Sequence, residues 1–139
     1  MAFHPYLLFG GNCREAFVRY QEIFGGELTL LTMKDMPGDE PVPAEQADMI
    51  MHAALKIDGN LLMASDDPTT DNFGPVQGMQ VNYAVEDAGE AERVFNLLAD
   101  GGKLTMPIGP TFWSPMFGMC VDRFGTPWMV NAEDPQQAG

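Results

Sequence analysis

The sequence predicts an α+β fold assembled from two copies of one β-α-β-β-β unit. Three observations predict it. First, Asn12-Cys13-Arg14-Glu15-Ala16, an amphipathic stretch and Gly25-Gly26-Glu27-Leu28 are echoed by Asp87-Ala88-Gly89-Glu90-Ala91, a second amphipathic stretch and Gly101-Gly102-Lys103-Leu104. Second, each half closes a later strand pair with a turn, Asp58-Gly59-Asn60 and then Asp122-Arg123-Phe124-Gly125. Third, 139 residues with 45% hydrophobic content suit one compact domain, or two small modules sharing a core. The repeat is too long and too few for a solenoid. Two copies imply a cleft between them, and that is the expected place of function.

The elements follow in order. Pro5 to Phe9 reads as a short buried strand stopped by Gly10-Gly11. Asn12 is a good N-cap, and Glu15 three residues on completes a capping-box pattern. Ala16, Phe17, Tyr20, Ile23 and Phe24 recur on one helical face, and Gly25-Gly26 ends the helix. Leu28 to Met33 is strand-like. Residues 34–48 hold three prolines and five acidic residues, which marks a solvated surface loop. Met49 to Ile57 and Leu61 to Ser65 form a hairpin around Asp58-Gly59. The first module spans about 1–67 and a polar connection 68–78. The second spans about 79–134: a strand from Met79 to Val85, a helix capped by Asp87 with Glu90 three residues on, and an apolar stripe of Ala91, Val94, Phe95 and Leu98. Lys103 to Met106 is a strand, Pro107 to Pro115 an irregular segment, and Met116 to Val121 with Thr126 to Ala132 the closing hairpin. The tail from Glu133 is polar and frayed.

Composition narrows the partners. Acidic residues outnumber basic ones 20 to 7, for a net charge of −13, which repels nucleic acid and anionic membranes. No stretch approaches the ~20 apolar residues of a transmembrane helix, and the N-terminus lacks a signal-peptide pattern. A soluble, reducing, cytoplasmic setting is expected. The two cysteines, Cys13 and Cys120, lack metal-knuckle spacing and read as small buried side chains. Cys13 also stands where a helix dipole lowers a thiol pKa.

Strand period sorts the hairpins. With a two-residue turn at Asp58-Gly59, Met51, Ala53, Leu55, Ile57, Leu62 and Ala64 face the helix. His52, Ala54, Lys56, Leu61, Met63 and Ser65 face the other way, with His52 opposite Ser65. In the second half Phe117, Met119, Val121, Trp128 and Val130 are assigned to the helix face. Met116, Gly118, Cys120, Pro127, Met129 and Asn131 are assigned to the other, joined by Gln80 and Asn82. The inner faces are thus lined by methionine and a few neutral polar groups, the composition of a small-molecule pocket.

Several motifs resemble the vicinal oxygen chelate superfamily of glyoxalases, extradiol dioxygenases and bleomycin and fosfomycin resistance proteins. More narrowly they resemble its PhnB-like branch. They are Pro5-Tyr6-Leu7 with Gly11-Asn12-Cys13 and Ala16; His52-Ala53 with Leu62-Met63-Ala64-Ser65-Asp66; Thr111-Phe112-Trp113; Phe117-Gly118; and Asp122-Arg123-Phe124-Gly125 with Trp128-Met129-Val130-Asn131. The resemblance covers nearly the whole chain and implies a glyoxalase-like fold and a homodimer, whose pairing would also cover strand edges and apolar faces. Some members carry a demethylubiquinone methyltransferase label; no glycine-rich cofactor loop follows a strand here, and that activity is not carried over. Metal enzymes of the superfamily take His and Glu ligands from four strand positions. By motif these fall on Pro5, Met63, Gln80 and Met129, with His4 one residue off, so neither a metal nor another cofactor is expected.

The expected ligand pocket comprises His52, Met63, Ser65, Gln80, Asn82, Met116, Met129, Asn131, Phe112 and Trp113. His52 is the single catalytic candidate, against a structural hydrogen-bonded role. Phe112 and Trp113 form either a lid or a plug between the halves. Asp66 and Asp67 read as a solvated turn rather than a ligand site. A metal-free small-molecule binder ranks first, an enzyme using His52 second, and a lyase or dioxygenase with a divalent metal third.

Overall fold

The computed structural model describes residues 1–35, 38, 41–69 and 76–133. Residues 36, 37, 39 and 40 of the acidic loop, 70–75 of the connection and the tail after Glu133 lie outside the described residues. The chain divides into two compact units, Met1–Phe73 and Gly74–Gly139.

The first unit comprises β1 (Tyr6–Phe9), α1 (Cys13–Phe24), β2 (Glu27–Thr32), β3 (Ile50–Ile57) and β4 (Asn60–Asp66), in sheet order β1-β4-β3-β2. The second comprises β5 (Val81–Val85), α2 (Ala88–Ala99), β6 (Lys103–Gly109), β7 (Met116–Val121) and β8 (Pro127–Ala132), in order β5-β8-β7-β6. In each, the first strand pairs parallel with the last and the other pairs are antiparallel. This is the α+β, twice-repeated unit that the sequence predicts. The acidic loop contains short 3-10 turns at Met33–Asp35 and Ala44–Gln46. β6 runs on to Gly109, past the expected end at Met106.

Each sheet buries one face under its helix. The α1 stripe of Ala16, Phe17, Tyr20 and Ile23 is buried with Leu7, Phe9, Ala53, Leu55, Leu62 and Ala64. The Phe17 ring meets Phe9 and Tyr20 edge-on, at 6.3 and 5.4 Å between centroids. The α2 stripe of Ala91, Val94, Phe95 and Leu98 is buried with Trp128, Val130 and Cys120. The second glycine of each repeated pair has a steric cause. A Cβ on Gly26 would strike the Lys56 carbonyl at the end of β3, and one on Gly102 the Val121 carbonyl at the end of β7. No helix among the described residues is long and apolar enough to cross a membrane.

The helix starts differ. Asp87 caps α2 as expected, accepting the Gly89 N–H at 2.9 Å. Asn12 makes no side-chain cap at α1. Asp66, at the end of β4, holds the entry to α1 instead. Its Oδ1 accepts the N–H groups of Gly11 and Cys13 at 2.9 and 3.0 Å, and its Oδ2 accepts the Ile50 N–H at 2.8 Å. Asp66 is 3% exposed, so the solvated turn expected there is corrected. It is a buried clamp between β4, α1 and β3.

The Asp58-Gly59 hairpin has the expected register, from Ile57↔Asn60 to Ala53↔Ala64. Positive φ at both Asp58 (47°) and Gly59 (86°) makes it the primed turn that matches strand twist. The second hairpin corrects the face assignment of β7. Val121 pairs with Pro127, Met119 with Met129, Gly118 with Val130 and Met116 with Ala132. The turn therefore holds residues 122–126, one more than the expected 122–125, and each added residue inverts the faces of one strand. Asp122 accounts for the length: its N–H donates to the Thr126 carbonyl at 2.9 Å, and its Oδ1 accepts from Phe124 and Thr126 N–H at 2.9 and 3.0 Å. Its Oδ2 accepts from Trp128 Nε1 at 2.8 Å, tying the turn to the core. So Gly118 and Cys120 face α2, while Phe117, Met119 and Val121 face the open side. A Cβ on Gly118 would meet the Phe95 ring. Met116 pairs with Ala132, whose side is that of Trp128 and Val130, so it leaves the open face.

Two predictions follow from these contacts. Asp87→Ala should lower stability by about 1 kcal/mol, as loss of an N-cap does. Asn12→Ala should cost less than about 0.5 kcal/mol, whereas Asp66→Ala, which strands two buried donors and a part-buried one, should cost more than about 3 kcal/mol. Urea midpoints of the three variants check this ordering. The second concerns pH. Burial, aided by the Asp66 carboxylate, pushes the Cys13 thiol from 9.0 up to about 12, and burial with Asp122 pushes Cys120 up to about 11. Unfolded thiols then lose protons first, so stability is complete below pH 9 and falls as pH rises toward 11–12. The urea midpoint should drop less steeply over that range in the Cys13→Ala, Cys120→Ala double variant.

Candidate functional site

Each sheet leaves one face without a helix, and these open faces carry the candidate residues. In the first unit β1 pairs Tyr6 with Met63 and Leu8 with Ser65, which puts Tyr6 and Leu8 on the open side and Leu7 and Phe9 beneath α1. His52, Ala54, Lys56, Leu61, Met63 and Ser65 share that open side, as alternation predicts. His52 is half-buried. Its ring stacks on Tyr6 at 5.9 Å and 28°, with the Tyr6 hydroxyl 3.3 Å from Nδ1. Tyr6 thus reaches from β1 across β4 to fix the histidine on β3. Sequence reasoning did not single out Tyr6, because Tyr6-Leu7-Leu8-Phe9 is apolar throughout and shows no alternation.

In the second unit the open face carries Asn82, Met129, Met119 and Met106 as one row of strand partners, β5 to β6. A neighbouring cleft of about 510 Å³ is lined by Met79, Gln80, Thr105, Met119, Pro127 and Met129, among others. Gln80 and Met129 therefore come together as expected. Met119 was misplaced by the turn length, and Met79 and Thr105 carried no signal. Further along the face, Asn131 pairs with Phe117 and Ala84. The Asn131 Oδ1 is buried and accepts no hydrogen bond among the described residues. Trp113 lies edge-on against Phe117 at 5.3 Å, and Phe112 against Trp113 at 4.7 Å. Ser114 anchors their turn: its hydroxyl contacts the Met116 and Ala132 carbonyls at 2.9 and 2.7 Å, and its carbonyl accepts the Thr111 N–H at 2.9 Å. Phe112 stays 91% exposed and Trp113 44%.

In the pairing of the parallel strands, Tyr6 stands beside Met63 and Asn82 beside Met129, with Pro5 and Gln80 each one residue earlier. A phenol, an amide and two thioethers do not fit a divalent ion held by imidazole and carboxylate. No group of three or more His, Cys, Asp or Glu placed to hold a metal occurs among the described residues. The two cysteines are buried on the helix side, and burial pushes both thiols up, away from the range of an activated thiolate.

The model of a family described as 3-demethylubiquinone-9 3-methyltransferase matches residues 1–131. Protein YjdN of Escherichia coli (strain K12) is 33% identical over 145 residues, covering 98% of this chain and 98% of its own. Protein PA1353 of Pseudomonas aeruginosa has a crystal structure that is 47% identical, with a TM-score of 0.84, covering 96% of this chain and 98% of that one. A PhnB protein from Bacillus cereus is 26% identical, with a TM-score of 0.75, covering 94% and 98%. A glyoxalase-related enzyme from Fulvimarina pelagi (17%, TM-score 0.58) and the fosfomycin resistance protein FosX of Listeria monocytogenes (13%, 0.63) share the fold. The chain belongs to the family of that description, the PhnB-like family.

Proposed function

We propose that this chain binds a small organic molecule on its open sheet faces, without a divalent metal. The observation that carries the reading is the cleft of about 510 Å³ on the second sheet, with methionines and Gln80 among its lining residues. Its size and mostly apolar lining suit a small ligand. Methionine repacks around varied shapes and gives contact without fixing charge. The net charge of −13 disfavours anions, so a neutral or cationic ligand fits best.

The methyl transfer in the family description is not adopted. A nucleotide-type cofactor is commonly held at a helix N-terminus after the first strand. Here the approach to α1 is occupied by a carboxylate, since Asp66 accepts the N–H of Cys13, the first residue of the helix, and that of Gly11 before it. One observation favours a second reading, an enzyme using His52. The Tyr6 contact holds the imidazole in one orientation on an open face, as an acid–base residue requires.

The test begins with the mass of whatever leaves freshly purified, tag-free protein on denaturation, together with its elemental composition. An organic compound retained without stoichiometric zinc, nickel or iron is expected; near one such ion per chain would overturn the metal-free reading. Gln80→Leu should then weaken that compound by about 0.5–1.5 kcal/mol with folding unchanged. Trp128→Ala should instead cost about 3–5 kcal/mol of stability, because it empties the core beneath α2. Turnover of the compound by the wild type but not by His52→Ala would favour the enzyme.

A further inference from the structure

The second sheet gathers one kind of donor atom on its open face. Met119 and Met129 are direct partners across the antiparallel pair β7 and β8, and Met106 is the partner of Met119 on its other side. Facing residues on such strands keep their Cβ atoms about 4.5–5.5 Å apart on one face. Met79 comes in from the segment leading to β5, and with Met119 and Met129 it lines the cleft of about 510 Å³. Met79 is 51% exposed and the other two are half-buried, so solutes reach all three. Methionine is unbranched, with three rotatable bonds, so sulfurs on adjacent strands can turn toward one point.

The rest of the lining sets the kind of partner. Among the described residues it holds no lysine, arginine, histidine, aspartate or glutamate. Calcium, magnesium and zinc therefore find no charged or imidazole ligand there. A thioether is a neutral, soft donor, and soft sulfur donors select Cu(I). No cationic side chain of the lining repels such an ion, and the net charge of −13 draws cations toward the protein. The chain's two thiols, the other soft donors, are buried at Cys13 and Cys120.

We propose that Met79, Met119 and Met129 form a site for a soft monovalent metal ion, Cu(I) or its analogue Ag(I), with Met106 next in the row. The inference goes beyond the small-molecule reading: it uses the same cleft but does not need an organic ligand. Thioethers carry no proton to lose, so affinity should stay flat between about pH 5.5 and 8, where a thiolate or histidine site weakens as pH falls.

The test uses the full, tag-free chain under anaerobic conditions. Cu(I), kept reduced by ascorbate, is titrated in competition with the chromophoric chelator bicinchoninate, and Ag(I) is titrated while the methionine methyl signals are followed by NMR. One ion per chain is expected, with the largest methyl shifts at Met79, Met119 and Met129 and no competition from zinc. A Met119→Leu, Met129→Leu double variant conserves core volume and should keep its Tm within a few degrees. It should bind Cu(I) at least about tenfold more weakly, having lost two of three soft ligands. The Cys13→Ala, Cys120→Ala double variant should bind as the wild type does. Methyl shifts in the wild type locate the ion should a variant fail to fold. No uptake of Cu(I), binding that survives the methionine substitutions or is lost with the thiols, or affinity that falls with pH would overturn the site. A co-purified organic compound that still shifted Met119 and Met129 would then leave the small-molecule reading standing.

Discussion

Asp122 holds the turn that decides which side of β7 faces which way. Its carboxylate, 5% exposed, accepts from two backbone N–H groups of the turn and from the Trp128 indole. Charge-assisted bonds of this kind are the strong ones, at about 1.5–3 kcal/mol each. Together they fix a turn of residues 122–126 and the pairing of Val121 with Pro127. A turn one residue shorter would send Phe117 and Met119 under α2 and turn Gly118 and Cys120 outward. Gly118 shows why that does not happen: the Phe95 ring occupies the space any larger residue would need. The thioether row, the cleft and the aromatic edge beside Asn131 all depend on that register.

The first unit uses a carboxylate differently. Asp66 gathers the start of α1, the start of β3 and the end of β4 at one point. The repeat aligned Asn12 with Asp87 as helix caps, yet only Asp87 acts as one. Asp66 bonds the N–H groups of Gly11 and Cys13 on either side of Asn12, and Asn12 itself makes no side-chain cap. Local cap patterns report what a residue can do, and tertiary competition decides whether it does.

The sequence made legible whatever rests on polarity and on short turns. Both helix stripes, the repeat and the Asp58-Gly59 hairpin follow from spacing alone, and with the hairpin came the open-face placement of His52, Met63 and Ser65. What stayed illegible rests on strands without alternation. Tyr6-Leu7-Leu8-Phe9 and Met116-Phe117-Gly118-Met119-Cys120-Val121 are apolar on both sides, so their faces follow only from register. The two halves also differ in spacing, since residues 10–12 separate β1 from α1 but only residues 86–87 separate β5 from α2.

With the register in place, each parallel strand pair presents one polar group beside one thioether: Tyr6 beside Met63, and Asn82 beside Met129. Imidazole and carboxylate at such positions would concentrate charge and hold a divalent ion. Phenol, amide and thioether do neither. Under the proposed function, they leave a surface that would recognise by shape and by single hydrogen bonds, each worth about 0.5–1.5 kcal/mol net. A small ligand on such a surface gains affinity from buried area, at about 0.3 kcal/mol per non-hydrogen atom for drug-sized compounds. A ligand of about 20 such atoms would then reach about 6 kcal/mol, and one added hydrogen bond would shift its affinity up to about tenfold. On that reading, discrimination among similar ligands falls to the few polar groups on the faces, the Tyr6 hydroxyl and the Asn82 amide beside their thioethers.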